Sequence, residues 1–349
     1  MATLKDIGAE LGLSAATVSR ALNGFPEVNI KTRDKVRETA ERLGYRPNRV
    51  AQRLVTGRSG MVGMIIKIRA DMSADQTFFE MLTGLTAALG ARDVDLVLAV
   101  DQDDDPVLPY RKLMERDILD GFILNAPVPD DPRVAFLREK GIPFVMHGQT
   151  APDVDYACYG IDNAAVSEDA VKLLASLGHK RIALLNGQLR YAYAVDRLRG
   201  FRDAIDAEGL VVPDAFVAAN AETEMDAYKT ALSMLSGRDG ARPTAMICAS
   251  TLIAAGVIRA AKDRGLRVPE DLSVMAHDDA LPLMRAVSFD PALTVTRAPL
   301  RDACVPLANL LIDFVSGAPA EQKIDRAELI VRASTGPVPR EEQDPWPLT

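Results

Sequence analysis

The sequence predicts an all-α head built on a helix-turn-helix, followed by a larger α/β body of two similar Rossmann-like lobes. Three observations carry that prediction. Apolar residues recur at helical spacing in three short runs before residue 46. From Gly60 onward, apolar strands alternate with helices, and the alternation restarts at Ile161. Charge divides at the same place. Residues 1–58 hold 11 Lys and Arg against 6 Asp and Glu, whereas the remainder holds 30 against 43. Phosphates attract a basic head and repel an acidic body, although a solvated helical surface gives the same excess.

In the head, Thr3 and Asp6 have the spacing of a capping box, and Leu4, Ile7 and Leu11 form one apolar stripe. Gly12 interrupts, as a tight turn requires. Ser14 is placed to cap a second helix with Val18 and Leu22 inward; Asn23-Gly24 and Pro26 end it. Thr32 is expected to cap a third helix, with Val36, Ala40 and Leu43 on one face and Gly44 past its end.

In the body, strands are expected at 61–68, 95–100, 121–124, 142–146, 181–186, 245–249 and 272–276. Helices are expected at 78–91, 109–116, around 134–140, and at 164–177, 195–208 and 252–264. Parallel sheets of this kind bind ligands beyond the carboxyl ends of their strands, here between the lobes.

With 349 residues and 48% hydrophobic content, the chain can bury the cores of two or three domains. No run approaches the roughly 18 apolar residues of a membrane helix. The first residues lack the apolar core of a signal peptide, so the chain is expected in the cytoplasm, on the nucleoid. Cys158, Cys248 and Cys304 form neither metal spacing nor a disulfide framework and read as buried thiols. Motifs for nucleophilic serine, phosphate-cradling lysine or zinc chemistry are absent, which argues against an enzyme; no cofactor is expected.

The run from Leu4 to Gly24, with Asp6-Ile7-Gly8, Ser14-Ala15-Ala16-Thr17-Val18-Ser19-Arg20 and Ala21-Leu22-Asn23-Gly24, resembles the head of the lactose/galactose repressor (LacI/GalR) family. So does Leu43-Gly44-Tyr45-Arg46-Pro47-Asn48, followed by Ala51 and Leu54. In the body the resemblance rests on Gly178-His179-Lys180-Arg181-Ile182-Ala183, Arg197-Leu198-Arg199-Gly200-Phe201, Val268-Pro269-Glu270-Asp271-Leu272-Ser273-Val274, Asp278-Asp279 and Pro291-Ala292-Leu293-Thr294. It extends to about residue 335.

The resemblance implies a transcriptional regulator, a repressor, binding operator double-stranded DNA as a homodimer, with a body like periplasmic sugar-binding proteins. A small molecule, a sugar, would bind between the lobes and set operator affinity. The implied organisation is a head at 1–46, a hinge helix and linker at 47–59, a body at 60–337 and a tail at 338–349. Lobe 1 would take about 60–160 and 291–320, lobe 2 about 161–290 and 321–337. The chain would cross between them near 159–162, 289–293 and 318–325.

The resemblance also implies residue roles. The second helix would enter the major groove with Ala15 and Ala16 toward base edges, too short for hydrogen-bond readout. Arg20, one turn beyond Ala16, would contact either guanine or a phosphate. Thr17, Ser19 and Asn23 suit phosphate contacts. Arg49 and Arg53 would face phosphates, with Ala51 and Leu54 on one face of the hinge helix. Leu54 either wedges between base pairs or packs on the body. For the effector, Arg197 and Asp278 match family ligand positions; the pair either binds the effector or is structural. Phe78 and Phe79 begin the helix after the first strand, as the family's stacking residues do, and Tyr191 and Tyr193 occupy the corresponding loop of the second lobe; each either stacks on a sugar or packs in the core. Ser250-Thr251 and His147-Gly148-Gln149 depart from the family pattern, which leaves the ligand open; His147 and Gln149 either face the cleft or do not. His179 reads as structural. A transport binding protein is the rival reading of the body, opposed by the head.

Overall fold

The computed structural model describes residues 2–22, 24–45, 58–67, 76–101, 104–219, 221–237 and 242–339. They fall into two compact units, Met1–Gly60 and Met61–Thr349.

The first unit contains α1 (Leu4–Leu11), α2 (Ala15–Leu22) and α3 (Ile30–Arg42). The Thr3–Asp6 capping box forms: the Thr3 N–H donates to Asp6 Oδ2 at 2.8 Å, and the Asp6 N–H to Thr3 Oγ1 at 3.4 Å. Gly12 ends α1 with φ 66°, a left-handed conformation that favours glycine. Gly8 is needed for a different reason. A Cβ there would lie 2.5 Å from the Leu13 carbonyl, so only glycine lets the turn close onto α1. Ser14 Oγ accepts the Thr17 N–H at 3.1 Å and caps α2. The cap of α3 differs from expectation. Asn29, not Thr32, supplies it, its Oδ1 accepting the Thr32 N–H at 2.8 Å, so the helix starts earlier. Ile7, Val18, Ala21, Val28, Val36 and Ala40 form the buried core.

The second unit contains two six-stranded sheets. The first is ordered β11-β5-β4-β3-β1-β2, all parallel, from β1 (Met61–Lys67), β2 (Asp95–Asp101), β3 (Gly121–Leu124), β4 (Phe144–His147), β5 (Cys158–Ile161) and β11 (Gln322–Asp325). The second is ordered β12-β10-β9-β8-β6-β7, from β6 (Ile182–Leu185), β7 (Val217–Ala218), β8 (Ala245–Cys248), β9 (Ser273–Asp278), β10 (Thr294–Arg297) and β12 (Glu328–Ile330). Among the described strands, only the β10–β12 pair is antiparallel. Helices α4 (Gln76–Gly90), α5 (Leu108–Met114), α6 (Pro132–Glu139) and α11 (Cys304–Val315) belong to the first lobe. Helices α7 (Asn163–Ser176), α8 (Ala192–Ala207), α9 (Glu224–Met234) and α10 (Thr251–Asp263) belong to the second. β3, β6 and β8 are buried at every position, as parallel strands covered on both faces must be. All three cysteines are buried and free.

The expected lobe boundaries need correction. β10 lies in the second sheet, so residues 291–297 belong to lobe 2 rather than lobe 1. β11 pairs with β5 in the first sheet, so 322–325 belong to lobe 1 rather than lobe 2. The second and third crossings therefore run between Arg297 and Cys304 and between Asp325 and Glu328. The first falls between Ile161 and Asn163. Both misplaced strands are short and polar, Thr-Val-Thr-Arg and Gln-Lys-Ile-Asp, and carry little apolar signal. The expected tail at 338 also begins too early: the Val338 N–H donates to the Leu177 carbonyl at 2.9 Å, tying it to lobe 2.

Candidate functional site

In the head, α2 presents two faces. Val18 and Ala21 are buried, whereas Ala16 and Arg20, four residues apart, are exposed on the opposite side. Ala15, Thr17 and Ser19 are half-buried. The Thr17 hydroxyl lies 2.9 Å from that of Ser14, so the cap and the phosphate-contact candidate are one unit. Arg33 braces the turn after α2, donating to the Val28 and Gly24 carbonyls at 2.9 and 3.4 Å. Asn23, Arg49, Ala51, Arg53 and Leu54 lie outside the described residues.

In the body, the predicted ligand residues do not all converge. Arg197 on α8 is the centre of those that do. Gly200, one turn further along α8, allows this position: a Cβ there would lie 2.2 Å from the Ala164 carbonyl of α7. The two helices thus approach closely, and Arg197 Nε donates to Asn163 Oδ1 at 2.9 Å. Its Nη1 donates to the Ala249 carbonyl beyond β8, also at 2.9 Å. The Arg197 guanidinium carbon stands 5.2 Å from the Tyr193 ring centroid, and Tyr193 stacks on Tyr191 at 6.0 Å with 16° between planes. A small cavity beneath Arg197 is lined by Asn186, Cys248, His277 and Thr296 among others. Burial pulls the Arg197 pKa below its ordinary value, opposed by the charge of Asp279.

Asp279 is the residue the sequence reading missed. It follows β9, and its Oδ1 stands 3.4 Å from His277 Nε2. Burial alone would raise its carboxyl pKa. The His277 hydrogen bond and the charges of Arg197 and His147 outweigh that and hold it below the ordinary carboxylate value. His147 lies at the end of β4 in the other lobe and interacts electrostatically with Asp279. Burial pushes its pKa down to about 4, Asp279 pulling partly the other way, so its ring is neutral at pH 7. Asp278, the family-matched acid, is 4% exposed, and its Oδ1 accepts the Ala280 N–H at 2.8 Å. Gln149 Nε2 donates to the Pro152 carbonyl at 3.3 Å within its own loop. Phe78 packs on the core of the first lobe, with Phe79 half-exposed beside it, ring centroids 5.4 Å apart. Ser250 Oγ caps α10 by accepting the Ile253 N–H at 3.3 Å. His179 is structural: Nδ1 stands 3.0 Å from Thr244 Oγ1, and Nε2 3.0 Å from both Ser273 Oγ and the Gly336 carbonyl.

The site thus lies at the carboxyl ends of strands from both sheets, in the crevice where open α/β folds take ligands. Comparison with known proteins agrees with this architecture. Residues 3–48 match the model of bacterial regulatory proteins of the lacI family, and residues 171–335 a periplasmic binding protein-like domain. The chain is 40% identical to the HTH-type transcriptional regulator AglR of Rhizobium meliloti, over 99% of this chain and 96% of that protein. It is 30% identical to the HTH-type transcriptional regulator CelR of Thermobifida fusca, over 95% and 98%. Among solved structures, a CelR–cellobiose complex aligns with TM-score 0.70 at 27% identity, covering 96% of this chain and all of that one. A lac repressor dimer bound to operator and an anti-inducer shares the fold, with TM-score 0.76 at 24% identity over 96% and 99%. This chain belongs to the lacI family of bacterial regulatory proteins: it is a transcriptional regulator with a helix-turn-helix head, not an enzyme.

Proposed function

We propose that this regulator is an operator-binding repressor, a homodimer whose DNA affinity is set by a sugar held between its lobes. The observation that supports it best is the grouping on the second lobe of Arg197, which faces the stacked Tyr193–Tyr191 pair, and Asp279 at 3.4 Å from His277, with His147 of the other lobe interacting electrostatically with Asp279. Hydroxyls need donors and acceptors, and the apolar faces of a sugar ring need aromatic surface. The solved complex of CelR with cellobiose shows that a relative of this fold takes a disaccharide.

On the DNA side, Ala15, Ala16 and Arg20 face base edges, and Thr17, Ser19 and Asn23 meet phosphates. Arg49 and Arg53 neutralise phosphates beside the wedge of Leu54, with Ala51 on the same hinge face. In the cleft, Arg197, Tyr191, Tyr193 and His147 surround the effector, with the Asp278–Asp279 pair on the second lobe. Phe78, Phe79 and Gln149 lie at its margin. A ligand that prefers one lobe arrangement shifts operator affinity by its differential affinity, about 1–3 kcal/mol.

The test is operator titration of the full chain, with and without each member of a panel of neutral mono- and disaccharides. A five- to hundredfold change in operator affinity with one sugar is expected. Specific operator binding that no sugar alters removes the effector part of the proposal, and failure to bind any DNA selectively removes the whole.

A further inference from the structure

The last turn of α2 is held from α3. The Gly24 N–H donates to the Ala21 carbonyl at 3.2 Å, and the Phe25 N–H to the Arg20 carbonyl at 3.0 Å. These are the two bonds of a Schellman motif, with Gly24 left-handed at φ 74°. The Phe25 bond closes on the backbone of Arg20, whose side chain lies on the exposed face of α2. The chain then turns back into the core, where Val28 is buried and its N–H donates to the Phe25 carbonyl at 3.2 Å.

One side chain grips both ends of this turn. Arg33 donates through Nε to the Val28 carbonyl at 2.9 Å and through Nη1 to the Gly24 carbonyl at 3.4 Å. It is half-buried, and both of these acceptors are neutral main-chain groups. A guanidinium carries its donors in a rigid planar fork, so it fixes the separation of two acceptors; an ammonium on a flexible stem does not. α3 is anchored independently of the turn, by the Asn29 cap and by Val36 and Ala40 in the core. Support therefore runs from α3 through Arg33 to the turn, and from the turn to the Arg20 backbone.

Such a brace bears on discrimination more than on attraction. A bidentate contact to a base edge depends on the angle at which the side chain leaves its helix. The charge that draws a protein to phosphate does not.

Resting on the reading of the exposed α2 face as the base-reading surface, we propose that Arg33 is a positioning residue for operator recognition: it holds the turn at 24–28 and, through the Phe25–Arg20 bond, sets the direction from which Arg20 meets DNA.

The probe is a duplex selected by the wild-type full chain from a random-sequence library, with each base pair then varied in turn. Arg33→Met keeps the alkyl stem and removes the donors. It is expected to lose about tenfold in preference at the base pair where Arg20→Ala loses it. The Arg20→Ala/Arg33→Met double variant is expected to lose no more there than Arg20→Ala alone, as one residue acting through the other requires. The slope of log affinity against log salt should keep its wild-type value. Arg33→Lys retains the charge and is expected to show the Arg33→Met defect. Hydrogen exchange on the full chain should quicken at 24–28 in both Arg33 variants and stay unchanged in α1.

A salt slope lowered by about one, with equal loss at every base pair, makes Arg33 a phosphate contact and overturns the proposal. Additive losses in the double variant, full recovery with Arg33→Lys, or unchanged exchange at 24–28 overturn it as well. Where Arg33→Met quickens exchange throughout the head, the same readings are taken from Arg33→Lys. If Arg20→Ala itself loses affinity equally at every base pair, or the wild-type chain selects no duplex, the reading of the α2 face falls and the proposal with it, while exchange at 24–28 still decides whether Arg33 holds the turn.

Discussion

The Pro127 carbonyl of the first lobe accepts the N–H of Ala192 from the second at 2.9 Å. Ala192 is the first residue of α8, the helix that carries Arg197. A second tie crosses the crevice where Gln76 Oε1 accepts the Leu283 N–H at 3.0 Å. Protein groups alone thus hold the lobes together at two points.

Ala192→Pro tests the first tie. The first position of a helix tolerates proline, and Tyr191 before it has the extended backbone that proline requires, at φ −94° and ψ 138°. The substitution removes the N–H and sets a ring carbon against the Pro127 carbonyl. Small-angle scattering of the variant is expected to show more open lobes, with effector affinity reduced about three- to tenfold, the worth of one hydrogen bond. Unchanged scattering and affinity would show that this tie does not hold the lobes.

Arg20 is a long side chain on the exposed face of α2. Arg20→Ala is expected to relax preference at one base pair per operator half-site, by about 1–3 kcal/mol. Binding measured across a set of operator variants checks this. A uniform loss at every variant assigns Arg20 to phosphate instead.

The loop after β3 is braced by a buried ion pair. Arg133 Nε and Nη2 grip Asp131 at 2.9 and 2.6 Å, and Nη2 also reaches the Asn125 carbonyl at 3.1 Å. The Asp131 side chain is fully buried, and burial of Arg133 is offset by Asp131 and the Tyr110 hydroxyl, which together raise its pKa. Asp131→Ala would strand a buried guanidinium and is expected to cost about 3–5 kcal/mol in urea unfolding. Removing both charges together, with Asp131→Asn and Arg133→Met, is expected to cost less.

Acid should weaken the body through its histidines. Burial lowers the pKa of His147, to about 4, and also those of His179 and His277. The unfolded chain takes up protons near pH 6.5, while the folded chain does not. Stability from these groups is therefore fully present above that pH and lost as pH falls toward 4. The slope is up to about 1.4 kcal/mol per pH unit for each histidine. Urea midpoints between pH 7.5 and 4.5 read it, and His179→Asn should flatten the curve.

Features set by neighbours in sequence were the most legible. The Thr3–Asp6 box, the Gly12 turn and the Ser14 cap need only a few adjacent residues, and each formed as read. Apolar strands were legible as well, because burial on both faces leaves an unbroken hydrophobic run. β10 and β11 were not, since their places depend on partners distant in sequence and their residues are polar. The motif of Arg197 drew attention to it, and its place in the cleft stands as a proposal. Asp279 was not singled out because its neighbour His277, itself held by Thr296, is brought into position only by the fold.

The edge strand β11 has a consequence for synthesis. It completes the first sheet with residues 322–325, delivered after every strand of the second sheet except β12. On the ribosome, at about 5–20 residues per second, the head emerges whole at the outset. The lobe begun at Met61 must wait through more than two hundred and fifty further residues for its last strand. A message truncated before codon 322 would therefore yield a complete reading head attached to a body whose earliest portion was still unfinished.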